Sequence, residues 1–112
     1  MEIYKILRPQ EFAEFERAGE TRGAPVDLDD GYIHLSKADQ LEGTLAKHFT
    51  DAEEVILCAC DAGRLGTALK WEAARGGDLF PHLYRNLERA DILWNARLTR
   101  GDDGFTLPDR VG

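Results

Sequence analysis

"DDGYIHLSKADQ", residues 29 to 40, runs two periodicities back to back. Its first half alternates, with Tyr32, His34 and Ser36 on one side of an extended chain and Ile33 and Leu35 on the other, because successive strand side chains point to opposite faces. One face is apolar and belongs to a core. The other is a polar row suited to line a cleft. After Ser36 the spacing turns helical: Leu41, Leu45 and Phe49 recur every four residues, an apolar stripe that packs a helix onto a sheet. "SKAD" puts an acid three positions after Ser36, a capping-box-like start in which Ser36 caps the helix.

Working outward toward the N-terminus, "EIYKILR" reads as a strand. Pro9 then falls where the first turn of a helix tolerates a missing N–H. Phe12, Phe15 and Ala18 form that helix's apolar stripe, and Gly19 is its stop. "ETRGAPVDLDD", residues 20 to 30, is turn-rich and reads as a loop ending at Gly31. Toward the C-terminus, "EVILCACD" is apolar on both faces and so is a central strand. "AGRLGTA" is a short irregular element, and "LKWEAA" is a strand with Leu69, Trp71 and Ala73 opposite Lys70, Glu72 and Ala74. "RGGDLFPHLY" reads as a loop, because Gly76, Gly77 and Pro81 all oppose regular structure. "DILWNARL", "TRGDDG" and "FTLP" read as a closing hairpin. Helices come early and strands dominate late, so the expected fold is α+β: two to three helices and a bent, mostly antiparallel, split sheet around a cleft.

The 112 residues suit one domain, residues 1–112, able to bury a core without metal or disulfide support. Fourteen Lys and Arg stand against 21 Asp and Glu, a net charge of −7, which argues against general nucleic-acid or anionic-membrane binding. A local cluster such as Arg85, Arg89, Arg97 and Arg100 could still hold one nucleotide-sized anion. No stretch approaches the ~20 apolar residues of a membrane span, and the first residues lack a signal peptide's apolar core, so a cytoplasmic protein is expected. Cys58 and Cys60 lie two apart on a strand, ~6.6 Å along it, and read as small buried apolar side chains.

The chemistry-bearing residues fall into two groups. In the first, His34 and Ser36 offer an imidazole and a hydroxyl to ligand oxygens beside the Tyr32 ring. In the second, "KWEAARGGDLFPHLY", Glu72 is the natural carboxylate partner for a histidine or a ligand hydroxyl, while His82 and Tyr84 share a side. Trp71, Phe80 and Tyr84 supply apolar walls, and Arg85 follows them. His34, His48 and His82 are scattered without metal-ligand spacing, so no metal site is expected. Nor is there a nucleophile elbow or a phosphate-binding glycine loop. The expectation is a small-ligand pocket in a monomer. The alternative is a non-catalytic module binding a metabolite or protein through the same cleft, with Tyr84, Trp71 and Phe80 as its anchors.

Taken together, "YKI", "DGYIHLS", the following Gln, Thr and "HF", "KWE" and "FPHLY" resemble the domain-of-unknown-function family numbered 952, small bacterial proteins, over Tyr4 to about Leu87. The resemblance implies a fold similar to the ADP-ribosyltransferase superfamily and a nucleotide-like ligand of the NAD or ADP-ribose type, with transferase or hydrolase chemistry on a glycosidic or phosphate group. In that setting His34 is placed to hold a ribose hydroxyl, and Glu72 to accept a proton or stabilise an oxocarbenium-like centre. The family carries no established activity or cofactor to transfer.

Overall fold

A computed structural model describes the backbone of residues 1–112 and every side chain except that of Arg75. Strand β1 (Glu2–Leu7) leads into helix α1 (Pro9–Ala18), then β2 (Glu20–Thr21), helix α2 (Pro25–Asp30), β3 (Ile33–His34), β4 (Ser36–Lys37), helix α3 (Leu41–His48), β5 (Glu54–Asp61), β6 (Leu69–Ala73), β7 (Leu79–Leu83), β8 (Leu87–Glu88) and β9 (Ile92–Thr99). Three sheets result, in the orders β4-β1-β5-β9, β2-β8 and β3-β7-β6, and every strand pairing is antiparallel. The fold is therefore mixed, with mostly antiparallel split sheets and three α-helices, as the hydropathy pattern predicts.

The apolar run of β5 is explained by its place between β1 and β9 with both faces covered. Ile56, Cys58 and Cys60 face a core shared with Ile3, Leu7, Phe15, Ile33, Leu83 and Leu87. Val55, Leu57 and Ala59 face a second core under α3, with Tyr4, Leu41, Leu45, Trp94 and Leu98. Both thiols are free, and burial pushes each up to about 12, so they act as small apolar side chains. Helix α1 begins at Pro9 and ends at Gly19, whose φ of 83° and N–H to Phe15 O close the last turn.

Four expectations are corrected. Residues 20–30 are not a loop: they hold β2 and the six-residue α2. The opening stretch is not one strand, because the chain leaves the three-stranded sheet at Leu35 and joins the four-stranded one at Ser36, beside Tyr4. Ser36 caps nothing. It is buried with its Oγ 3.0 Å from Thr44 Oγ1, and the backbone N–H of Lys37 donates instead to Gln40 Oε1. "FTLP" pairs with no strand. Past a bridge between Gly101 and Gly104, Phe105 and Leu107 fold back onto the second core.

A fifth correction positions the site. The "loop" residues Leu79–Leu83 are the middle strand of the three-stranded sheet, with Pro81 inside it. Proline is tolerated because only one ladder bond is lost: Leu35 N–H donates to Pro81 O, and the reciprocal bond is the one Pro81 cannot make. That gap falls at the break between β3 and β4. Gln40, buried, donates from Nε2 to Leu79 O and ties the start of β7 to α3.

Candidate functional site

The site begins with a buried carboxylate. Asp27 is carried into the interior by α2, where its Oδ2 accepts from the N–H of Ala24, three residues earlier, at 2.7 Å. Lys5, on β1, points its Nζ at the same oxygen from 2.7 Å. The other oxygen accepts from the backbone N–H of His34 at 3.0 Å and pairs with His34 Nδ1 at 2.6 Å. Burial opposes the charge on Asp27, but the bond from His34 and the ammonium of Lys5 outweigh it and hold the carboxyl at about 2. Gly23 permits this approach: its φ is +99°, and a Cβ there would sit 2.2 Å from Asp27 Oδ2.

A second histidine–carboxylate pair lies across the strand ladder. His34 and His82 are register partners on β3 and β7, so their side chains share one face of the sheet. Glu72, on the neighbouring β6, accepts from His82 Nδ1 at 2.8 Å and from the Tyr84 hydroxyl at 2.7 Å through the same oxygen. The bond from His82, then that from Tyr84, holds Glu72 below the usual carboxylate range. The same hydrogen bond pushes Tyr84 up to about 12.

Tyr32 joins the pairs into one aromatic surface. Its ring centroid lies 4.7 Å from His34, 4.2 Å from His82 and 5.1 Å from the stacked Tyr84, while the two imidazoles are 5.3 Å apart. Both nitrogens of His34 face acceptors, since Nε2 lies 3.0 Å from Asp30 Oδ2. Of this group, His34 and His82 line a cleft of about 560 Å³, within the range of small-molecule sites, and Tyr32, Glu72 and Tyr84 do not. His34, Ser36, Phe80 and His82 line it, with Asp30 on α2 and with Arg8, Lys47 and His48 toward the end of α3.

Of the residues expected at a site, Tyr32, His34, Glu72, His82 and Tyr84 form one connected cluster, and Ser36 and Phe80 stand on the cleft wall. Trp71 is not with them, because it follows the opposite parity on β6 and shares its face with Pro81, its register partner. Arg85 is also elsewhere, bound through both guanidinium nitrogens to Asp91 at 2.8 and 3.0 Å. The expected arginine cluster does not form: Arg89 donates to Glu16 O, Arg97 to Glu54, and Arg100 to Ala52 O and Phe49 O. Among the described residues no group of three or more His, Cys, Asp or Glu side chains is placed to hold a metal. Asp27 and Lys5 escaped the sequence reading. The available signal was "APVD", with an acid three residues after the N-cap and proline at the first helical position, which marks a helix start inside the apparent loop.

The family model described as a protein of unknown function (DUF952) matches residues 6–95, and the chain belongs to that family. It is similar to protein CC0527 from Caulobacter crescentus. The crystal structure is 44% identical with a TM-score of 0.89, covering 94% of this chain and 92% of that one. The solution NMR structure is also 44% identical, with a TM-score of 0.82 over 93% and 90% of the two chains. No curated protein matches the chain.

Proposed function

We propose that this member of the DUF952 family binds a nucleotide-like ligand of the NAD or ADP-ribose type in the cleft, and acts as a transferase or hydrolase on its glycosidic bond. The observation that carries this reading is the charge around the two imidazoles. Three carboxylates, Asp27, Asp30 and Glu72, contact the rings, against the single ammonium of Lys5, which Asp27 already engages. Such a setting disfavours an anionic phosphoryl centre and favours a carbon centre that gains positive charge as its leaving group departs. His34 serves to fix a sugar hydroxyl, with Asp30 giving way to it, Tyr32 packs against the His34 ring, and Phe80 offers apolar surface to the sugar and base. Arg8 and Lys47, which also line the cleft, suit the phosphates. The split antiparallel sheets around a cleft are consistent with the ADP-ribosyltransferase-like resemblance.

The test is calorimetric titration with NAD, ADP-ribose and AMP, together with chromatography for released nicotinamide. At least one of the three should bind, and His34→Ala should weaken it at least tenfold. Glu72→Gln should bind normally and lose turnover. Binding without turnover in the unaltered protein would instead favour the non-catalytic module. No binding by any of the three would end the nucleotide reading.

A further inference from the structure

We propose that His82, rather than Glu72, is the group that exchanges a proton with the reacting oxygen, and that Glu72 is a positioning residue acting through it. The inference rests on the cleft being the reaction site. A carboxylate can only accept, so the 2.8 Å contact between Glu72 Oε1 and His82 Nδ1 places the ring proton on Nδ1 and leaves the lone pair on Nε2. Among the described residues no hydrogen bond reaches Nε2, although His82 is only 3% exposed. No fully buried polar side-chain atom lacks a partner, so this nitrogen keeps accessible surface, on a residue that lines the cleft.

The other candidates are occupied. Glu72 does not line the cleft, and its Oε1 is shared by His82 and Tyr84. His34 has Asp27 on Nδ1, and its Nε2, beside Asp30, is the nitrogen taken by the sugar hydroxyl. His82 is also the more rigidly held ring: it sits on the middle strand of its sheet, paired on both sides, with Tyr32 against it at 4.2 Å.

In the step, His82 Nε2 takes the proton of a water or acceptor hydroxyl as that oxygen bonds to the anomeric carbon. The glycosidic bond breaks with its electron pair going to the leaving group. The proton on Nε2 then passes to the leaving group or to solvent, restoring the neutral ring, and Glu72 faces the transient imidazolium.

Two measurements test this without a known substrate. Nitrogen-15 NMR of the unaltered protein should show the Nδ1–H tautomer at His82. Diethyl pyrocarbonate, which acylates an imidazole lone pair, should modify His82 several-fold faster in the unaltered protein than in Glu72→Gln, with His48 unchanged as the internal reference by mass spectrometry. An Nε2–H tautomer, or equal His82 rates in the two proteins, would overturn the proposal. ADP-ribose should protect His82 from the reagent. Failure of protection with the expected tautomer and rates would remove the ligand assignment and leave the Glu72–His82 pair standing.

Discussion

The two histidine–carboxylate pairs are inverted copies of one another in burial. In the first, the Asp27 side chain is 0% exposed and that of His34 is 32% exposed. In the second, His82 is 4% exposed and Glu72 is 41% exposed. Where the carboxylate is the buried member it must be neutralised from inside, and the Lys5 ammonium and three further donors do so. Where the carboxylate keeps its water, it needs no internal counter-charge and can be altered at little cost. The first pair is therefore part of what holds α2 onto β1 and β3. The second is free to be tuned for chemistry.

The largest effect should come from breaking the buried pair. Asp27→Ala strands Lys5 in the interior and should cost about 3–5 kcal/mol by chemical denaturation. Glu72→Gln should leave the denaturation midpoint nearly unmoved. Equal losses would erase the distinction between the pairs. The double variant Asp27→Leu with Lys5→Met should recover most of the loss, because the apolar replacement leaves no unpaired charge.

The acid limb sharpens the same contrast. Asp27 ordinarily titrates near 3.8 and is held at about 2 in the folded protein. A lowered carboxylate stabilises the fold above its unfolded value, and that stability is lost as pH falls from about 4 through 2, on the order of 2 kcal/mol. Asp27→Asn should flatten this limb of the stability curve. Glu72→Gln should not.

Gly23→Ala should cost roughly 1–3 kcal/mol, since its backbone is left-handed and the new methyl meets Asp27. Gly31→Ala, at a φ of 85° with open space around it, carries the backbone strain alone and should cost less. If the two variants lose the same stability, the close approach of Gly23 to the carboxylate contributes nothing.

The smallest effect is spectroscopic. Tyr84 is pushed to about 12 by its bond to Glu72, so ultraviolet titration of Glu72→Gln should bring it back toward 10.0. The fold should not notice. A Tyr84 that titrates identically in both proteins would mean that the Glu72 contact is not maintained in solution, and the second pair would lose its defining geometry.

Much of this was legible from residue order. Strand-like runs and apolar spacings of three and four located β1, β5, β6, β9, α1 and α3, and the unbroken apolar run of β5 predicted that it is buried on both faces. The alternation through Tyr32 and His34 put both on one face, and Glu72 was the expected partner for a histidine. These features are local. A side chain's parity or helical phase is fixed by its neighbours in the chain, whatever it eventually packs against. What the order of residues left open is pairing across space. Pro81 opposes a strand by local rules, yet the break between β3 and β4 removes the one bond it would have to return. Asp27 looks like a loop acid, yet Lys5, 22 residues away, and His34 make it an interior anion. His34 and His82 are neighbours only because their strands pair. Tertiary structure decided those contacts because the field and the hydrogen bonds at each group depend on which distant residue arrives there, and no local spacing encodes that.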